Sequence, residues 1–166
     1  NNHVQEGVYT VQEIKTKEGY ILDRSKHSFH AVLTSNDRLQ IQETGNIVYA
    51  ITNKANKLTI HKTDKDTGKS IPEVAFDIWH GTEKSENTMH KVTDEKGEIV
   101  LSALESGTWY YQETSAPSGY QFDTEVHTFT VADDGIISSS EAGFTKSADQ
   151  SEAALSITNQ KNHFEI

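Results

Sequence analysis

The sequence has no cysteine, which excludes disulfides and thiolate metal sites. A secreted domain without disulfides must be stiffened by other means or not at all. Long hydrophobic runs are lacking too. No stretch approaches the length of a membrane span, and no signal peptide opens the chain. Positive charge is scarce: 15 Lys and Arg against 25 Asp and Glu leave a net charge of −10, with the basic residues scattered. That balance argues against nucleic acid or an anionic membrane as partner. None of the eight histidines sits in a metal-spaced motif, and Asp64-Lys65-Asp66-Thr67-Gly68 lacks the later ligands of a calcium loop, so no metal is expected. No nucleophile elbow, phosphate loop or dinucleotide fingerprint is present, and no cofactor is expected.

Helical periodicity is also rare. Short alternating runs separated by clusters of Gly, Asp, Asn and Ser fill the chain, which predicts an all-β fold. Strands are expected at 8–13, 27–33, 38–42, 47–53, 57–63, 73–80, 98–101, 108–114, 125–131 and 153–159. The clearest turn signals are Asp64–Gly68, Asp94–Gly97 and Asp133-Asp134-Gly135. Residues 138–152, rich in Ser, Ala, Glu and Asp, read as a long loop with room for a helical turn.

The chain repeats itself. Gly7, Gln12, Glu13, Gly19, Tyr20, Asp23, His27 and Phe29 recur as Gly107, Gln112, Glu113, Gly119, Tyr120, Asp123, His127 and Phe129. Ile51-Thr52-Asn53 recurs as Ile157-Thr158-Asn159. The unit is roughly 100 residues, a usual size for a β-sandwich. The phase predicts the C-terminal half of a repeat at 1–55, a complete repeat at 56–160 and the first strand of another at 161–166. The leading half-copy lacks its early strands and would leave a sheet edge open. Either another polypeptide or a neighbouring copy completes it, or it is poorly ordered.

Three stripes of alternating residues end on polar groups. Leu58, Ile60 and Lys62 share a face; so do Trp109, Tyr111 and Glu113, and so do Leu155, Ile157 and Asn159. A strand end emerging into solvent explains any one of these. A basic, an acidic and an amide residue at equivalent positions are harder to dismiss, because a carboxylate in a core is costly unless paired.

Lys62-Thr63-Asp64 with Thr67-Gly68-Lys69, Val74-Ala75-Phe76-Asp77-Ile78, Thr93–Gly97, Glu113-Thr114-Ser115-Ala116-Pro117-Ser118-Gly119-Tyr120 and Ile157-Thr158-Asn159 together resemble a CnaB-type domain, also called a SpaA-type pilin or collagen-adhesin B-type domain. The E-T-x-A-P-x-G-Y segment is the most specific part. Two departures stand out: Glu73 occupies a position where the family usually has glycine, and Lys15-Thr16-Lys17-Glu18 replaces the Ser-Ala-Pro-Ser loop in the half-copy. The resemblance implies Ig-like, prealbumin-like β-sandwich modules in tandem, on the cell wall surface of a Gram-positive bacterium. It also implies an intramolecular isopeptide bond between Lys62 and Asn159, assisted by Glu113 as acid and proton shuttle, with Trp109 and Tyr111 shielding the site from water. Glu13 and Asn53 become an incomplete second site without its lysine, and the third copy's lysine would fall two residues past Ile166.

The function so implied is that of a structural stalk in an adhesin or pilin, not of a turnover enzyme. Its partners would be neighbouring repeats and an external strand completing residues 1–55. Two rivals stand beside it. One is a ligand-binding adhesin module contacting a host matrix protein or glycan through the 81–90 and 138–152 loops. The other is a β-rich enzyme domain.

Overall fold

Alternation of apolar and polar residues dominates a computed structural model of the chain, which describes residues 5–45 and 48–162. Among them there are strands and no helix. The chain divides into two compact units: Asn1–Thr16 with Leu22–Asn53, and Lys17–Ile21 with Lys54–Ile166.

The first unit is a three-stranded antiparallel sheet. Strands β1 (Gly7–Gln12), β2 (Lys26–Leu33) and β3 (Leu39–Ile41) lie in the order β1-β2-β3. Tyr9 stacks on Phe29 at 5.8 Å between centroids, and Phe29 on Tyr49 at 5.4 Å. The strand expected at 47–53 does not form over its described residues, 48–53. The cause is visible in the second unit. There the matching strand is held in a parallel ladder with the unit's first strand, and the first unit has no equivalent among the described residues to supply that ladder.

The second unit is a sandwich of two sheets. Its strands are β4 (Lys57–Asp64), β5 (Ala75–His80), β6 (Met89–Val92), β7 (Glu98–Ser102), β8 (Gly107–Ser115), β9 (Tyr120–Gln121), β10 (Val126–Val131), β11 (Ile137–Ser138), β12 (Phe144–Lys146) and β13 (Glu152–Lys161). One sheet has the order β11-β10-β8-β5-β6; the other runs β12-β13-β4-β7, with β9 paired to β13. Leu58, Ile60, Phe76, Ile78, Phe129 and Leu155 interlock between them, each at most 1% exposed. The strands β6, β9, β11 and β12 are not among those expected from sequence; β12 lies in the expected 138–152 loop and contains no helical turn. Lys161, expected to open a further repeat, ends β13, and residues 163–166 lie outside the described residues.

Turn chemistry follows the sequence signals. Asp64 Oδ1 accepts the backbone N–H groups of Asp66 and Thr67 at 3.0 and 2.8 Å, so this loop is an Asx turn closed by left-handed Gly68. Glu73, at the family's glycine position, adopts φ 61°, a conformation that L side chains take up only at a cost.

Lys17–Ile21 join the second unit through backbone hydrogen bonds. Asn56 N–H donates to Gly19 O at 2.9 Å, and Ile21 N–H to Lys54 O at 2.8 Å. The wholly buried Asn56 side chain ties this end together. Its Nδ2 donates to Leu104 O and Gly135 O, and its Oδ1 accepts from Leu104 N–H.

Candidate functional site

The strict alternation along β4 buries Leu58, Ile60, Lys62 and Asp64 on one face. Lys62 cannot leave that face, because its backbone is fixed on both sides: its N–H donates to Gly97 O at 2.8 Å and its C=O accepts from Ile71 N–H at 2.9 Å. The same alternation turns Tyr111 and Glu113 of β8 inward from the opposite sheet. The parallel ladder pairs Lys62 with Ile157, so Asn159 sits one pleat further along β13 on the same face. Three polar side chains therefore converge in a core. Lys62 is 0%, Asn159 3% and Glu113 4% exposed.

One carboxylate gathers the other two groups. Asn159 Nδ2 donates to Glu113 Oε1 at 2.5 Å, and Lys62 Nζ lies 2.9 Å from Glu113 Oε2. The second contact is close but poorly aligned, and neither Lys62 Nζ nor Glu113 Oε2 completes a hydrogen bond of good geometry. Burial pulls the Lys62 amine below the usual lysine range, and the charges of Glu113 and Asp123 only partly offset this. The arrangement is a poorly solvated amine and a carboxamide held on the two oxygens of one acid. It can support proton transfer between them and attack of nitrogen on the amide carbon.

The surroundings differ from the expected shield in one respect. Tyr111, 2% exposed, lies beside the site, and burial pushes its phenol far up. Trp109 does not lie there. It is two residues further along β8, about 13 Å from Glu113 at strand spacing, half-buried between His80 and Phe129, with its indole N–H donating to Glu105 O at 3.0 Å. The aromatic that covers the amine is Phe76, paired with Glu113 across β5 and β8, its ring centroid 5.9 Å from Lys62 Nζ. Strand periodicity identifies a shared face but not which cross-strand neighbour covers a given atom.

Two further clusters flank the trio. Tyr120 O–H donates to Asp64 Oδ2 at 2.9 Å, and Lys161 Nζ lies 3.4 Å from the same oxygen. Backbone N–H donation from Thr67 holds the Asp64 carboxyl well below the usual range. The closing tyrosine of the E-T-x-A-P-x-G-Y segment thus pins β9 to the ends of β4 and β13. On the other side, a cavity of about 230 Å³ opens against Glu113, walled in part by Asp123, His127 and Glu141. The two nitrogens of His127 lie 3.0 Å from Asp123 Oδ2 and 3.0 Å from Glu141 Oε1. For a metal, the described residues offer Asp123, Glu125 and His127, with ligand atoms within 4.8 Å of one another and both carboxylates exposed.

In the first unit the sequence-predicted pair also meets. Asn53 Nδ2 donates to Glu13 Oε1 at 2.6 Å and to Thr16 Oγ1 at 2.9 Å. The second oxygen of Glu13, in the place where Glu113 faces a lysine, accepts the backbone N–H of Asp23 at 2.7 Å. A cavity of about 240 Å³ lies against both residues, bounded also by Val11 and Ile51.

Comparison with known proteins bears on this arrangement. A family model described as SpaA, prealbumin-like fold domain, matches residues 56–144. No curated protein matches the sequence. Among solved structures the chain is similar to the Bacillus anthracis TIE protein, with 26% identity over 94% of this chain and a TM-score of 0.51. It is also similar to the group B streptococcus pilus 2b backbone protein, with 19% identity over 81% of this chain and a TM-score of 0.52. The C-terminal fragment of the pilus adhesin SpaC from Lactobacillus rhamnosus GG has 18% identity over 99% of this chain and a TM-score of 0.53, with 81% of that fragment covered. The chain spans only 25% of the TIE protein's chain and 49% of the streptococcal one.

Proposed function

The chain belongs to the SpaA family of prealbumin-like fold domains, and from that membership we propose that it is a structural module of a Gram-positive surface protein, a stalk segment of a pilin or adhesin working among neighbouring repeats outside the cell. Its complete unit is closed by an isopeptide bond between Lys62 Nζ and Asn159 Cγ. The observation that carries this reading is the buried carboxylate of Glu113, with the amine on one oxygen and the carboxamide on the other.

Each group has a role in the bond. Burial favours the neutral, nucleophilic form of Lys62. Glu113 relays protons from the amine to the departing nitrogen. The fixed positions of amine and amide supply the effective concentration that amide attack otherwise lacks. The reaction occurs once per chain, as self-modification without turnover. The joined strands β4 and β13 are the first and last of the unit, so a pull on its ends would pass through the covalent link and not through ladder hydrogen bonds. In the first unit Glu13 and Asn53 are the same acid and amide, to be completed by a lysine-bearing strand from a longer chain or another molecule.

Intact mass spectrometry tests the reading. The folded chain is expected to weigh one ammonia less than its sequence, and Lys62→Ala or Glu113→Ala to restore the full mass. A well-folded chain of unmodified mass would refute it.

A further inference from the structure

The backbone corner that follows Glu113 in the sequence occurs twice. Gly19 and Gly119 are repeat counterparts, and each precedes a tyrosine. Both glycines are left-handed, at φ 82° and φ 94°. Tyr20 N–H donates to Lys17 O at 3.1 Å, and Tyr120 N–H to Pro117 O at 3.2 Å. Tyr20 bridges to Ala55 as Tyr120 pairs with Lys161. Asn56 N–H donates to Gly19 O at 2.9 Å, and its counterpart Asn162 N–H to Gly119 O at 2.8 Å. The hydrogen bonding of the corner is thus the same in both copies.

Its covering is different. Around Gly19, which packs as part of the second unit, the structure closes tightly. A Cβ added there would stand 2.7 Å from the carbonyl carbon and oxygen of Ala103, and one added at Gly135 would stand 2.2 Å from Tyr20 O. Small residues let these backbones meet. Glu18 Oε2 accepts the Ser106 N–H at 2.8 Å. Asn56 ties the receiving turns together, with its buried carboxamide bonded to Leu104 and Gly135. Around Gly119, by contrast, an added Cβ would meet nothing within 4 Å among the described residues, and Asn162 is exposed.

We propose that Gly119, Tyr120 and Asn162 form a docking corner for another repeat of this kind, which covers it with its own counterparts of the 103–106 turn and of Gly135. The chain itself identifies the occupant, because those turns already receive the equivalent corner at Lys17–Ile21. One contact changes: Ser118 stands where Glu18 accepts from Ser106, so the second corner relies on backbone packing and on the asparagine. The loop that follows Glu113 thereby also seats the next module, and an array stiffens at that junction. The inference rests on the tandem-module reading above and is independent of the cross-link.

The test compares the full chain with the full chain extended after Ile166 by a copy of residues 61–160, which continues the repeat in phase. Amide hydrogen exchange at Gln121 and Asn162 should be slower in the extended chain by about tenfold or more. Gly119→Ala should remove that difference, because the added Cβ blocks the approach, while its strain at positive φ is common to both chains and cancels. In the unextended chain, Gly19→Ala should speed exchange at Asn56 and Ser106, whose N–H groups are bonded across the covered corner. Equal exchange at Gln121 and Asn162 in the two chains, with the appended strands protected, would overturn the docking corner. So would a difference that survives Gly119→Ala, which would be an end effect. Unchanged exchange at Asn56 and Ser106 in Gly19→Ala would overturn it without any added copy. Intact mass on the same samples reads the Lys62–Asn159 bond separately. A cross-linked chain with a freely exchanging corner sinks the docking alone, and an unmodified chain with a protected corner sinks the bond alone.

Discussion

Replacing Asn159 with alanine separates a covalent site from a merely polar one. The substitution removes the carbonyl carbon and leaves the Lys62–Glu113 contact at 2.9 Å in place. If the core holds no cross-link, the loss is one hydrogen bond to a charged carboxylate, about 1.5–3 kcal/mol. If the bond forms, the loss includes the loop it closes. By the chain-entropy model for disulfides, a loop of roughly 100 residues contributes about 4–5 kcal/mol, for a total of about 6–7 kcal/mol. A unit of this size unfolds with about 2.1 cal/mol/K per residue, so each kcal/mol moves the midpoint by about 4 °C. Asn159→Ala should therefore lower Tm by about 25 °C with the cross-link and about 10 °C without it. Calorimetry on wild type and variant, with intact masses taken on the same samples, measures both quantities. A drop near the smaller figure, together with a wild-type mass that shows no lost ammonia, would refute the reasoning.

Three other outcomes follow from the geometry. Glu73→Gly should stabilise the chain by about 0.5–1 kcal/mol in chemical denaturation, because relief of the left-handed residue at φ 61° outweighs the added freedom of the unfolded chain. In single-molecule pulling, the second unit of the wild type should release no length between the joined residues, whereas Asn159→Ala should release up to about 330–360 Å from roughly 100 residues. The His127 clamp should make stability pH-dependent in a defined window. Its imidazole is raised from 6.5, so its contribution is full below that value and fades as pH rises through the folded pKa; Asp123 is lowered from 3.8, so its contribution is lost as pH falls through its own folded value. The Tm advantage of wild type over His127→Gln should be greatest between about pH 4 and about pH 6.5 and shrink on either side.

Particular residues mark how far the sequence could be read. Alternation placed Leu58, Ile60 and Lys62 on one buried face and Tyr111 with Glu113 on another, because a strand's side chains obey a period of two whatever lies opposite. The Glu73 departure pointed to a backbone position that the structure places at positive φ. The 48–53 stretch shows the limit. It has the same alternation as β13, yet without a parallel partner it forms no strand among the described residues. Trp109 shows another: it shares the face of Tyr111 but stacks between His80 and Phe129, while Phe76 covers the amine.

The sequence by itself determined the all-β character, the repeat, the inward faces of the strands, and the amine, acid and amide that end three of them. These are local properties, set by side-chain alternation, turn residues and composition. Only the tertiary structure decided that β4 and β13 lie side by side in parallel, that Glu113 crosses from the opposite sheet to hold both partners, and that Asp123, His127 and Glu141 meet at one cavity. Those relations join residues far apart in the chain, and sheet packing, which no local pattern encodes, brings them together.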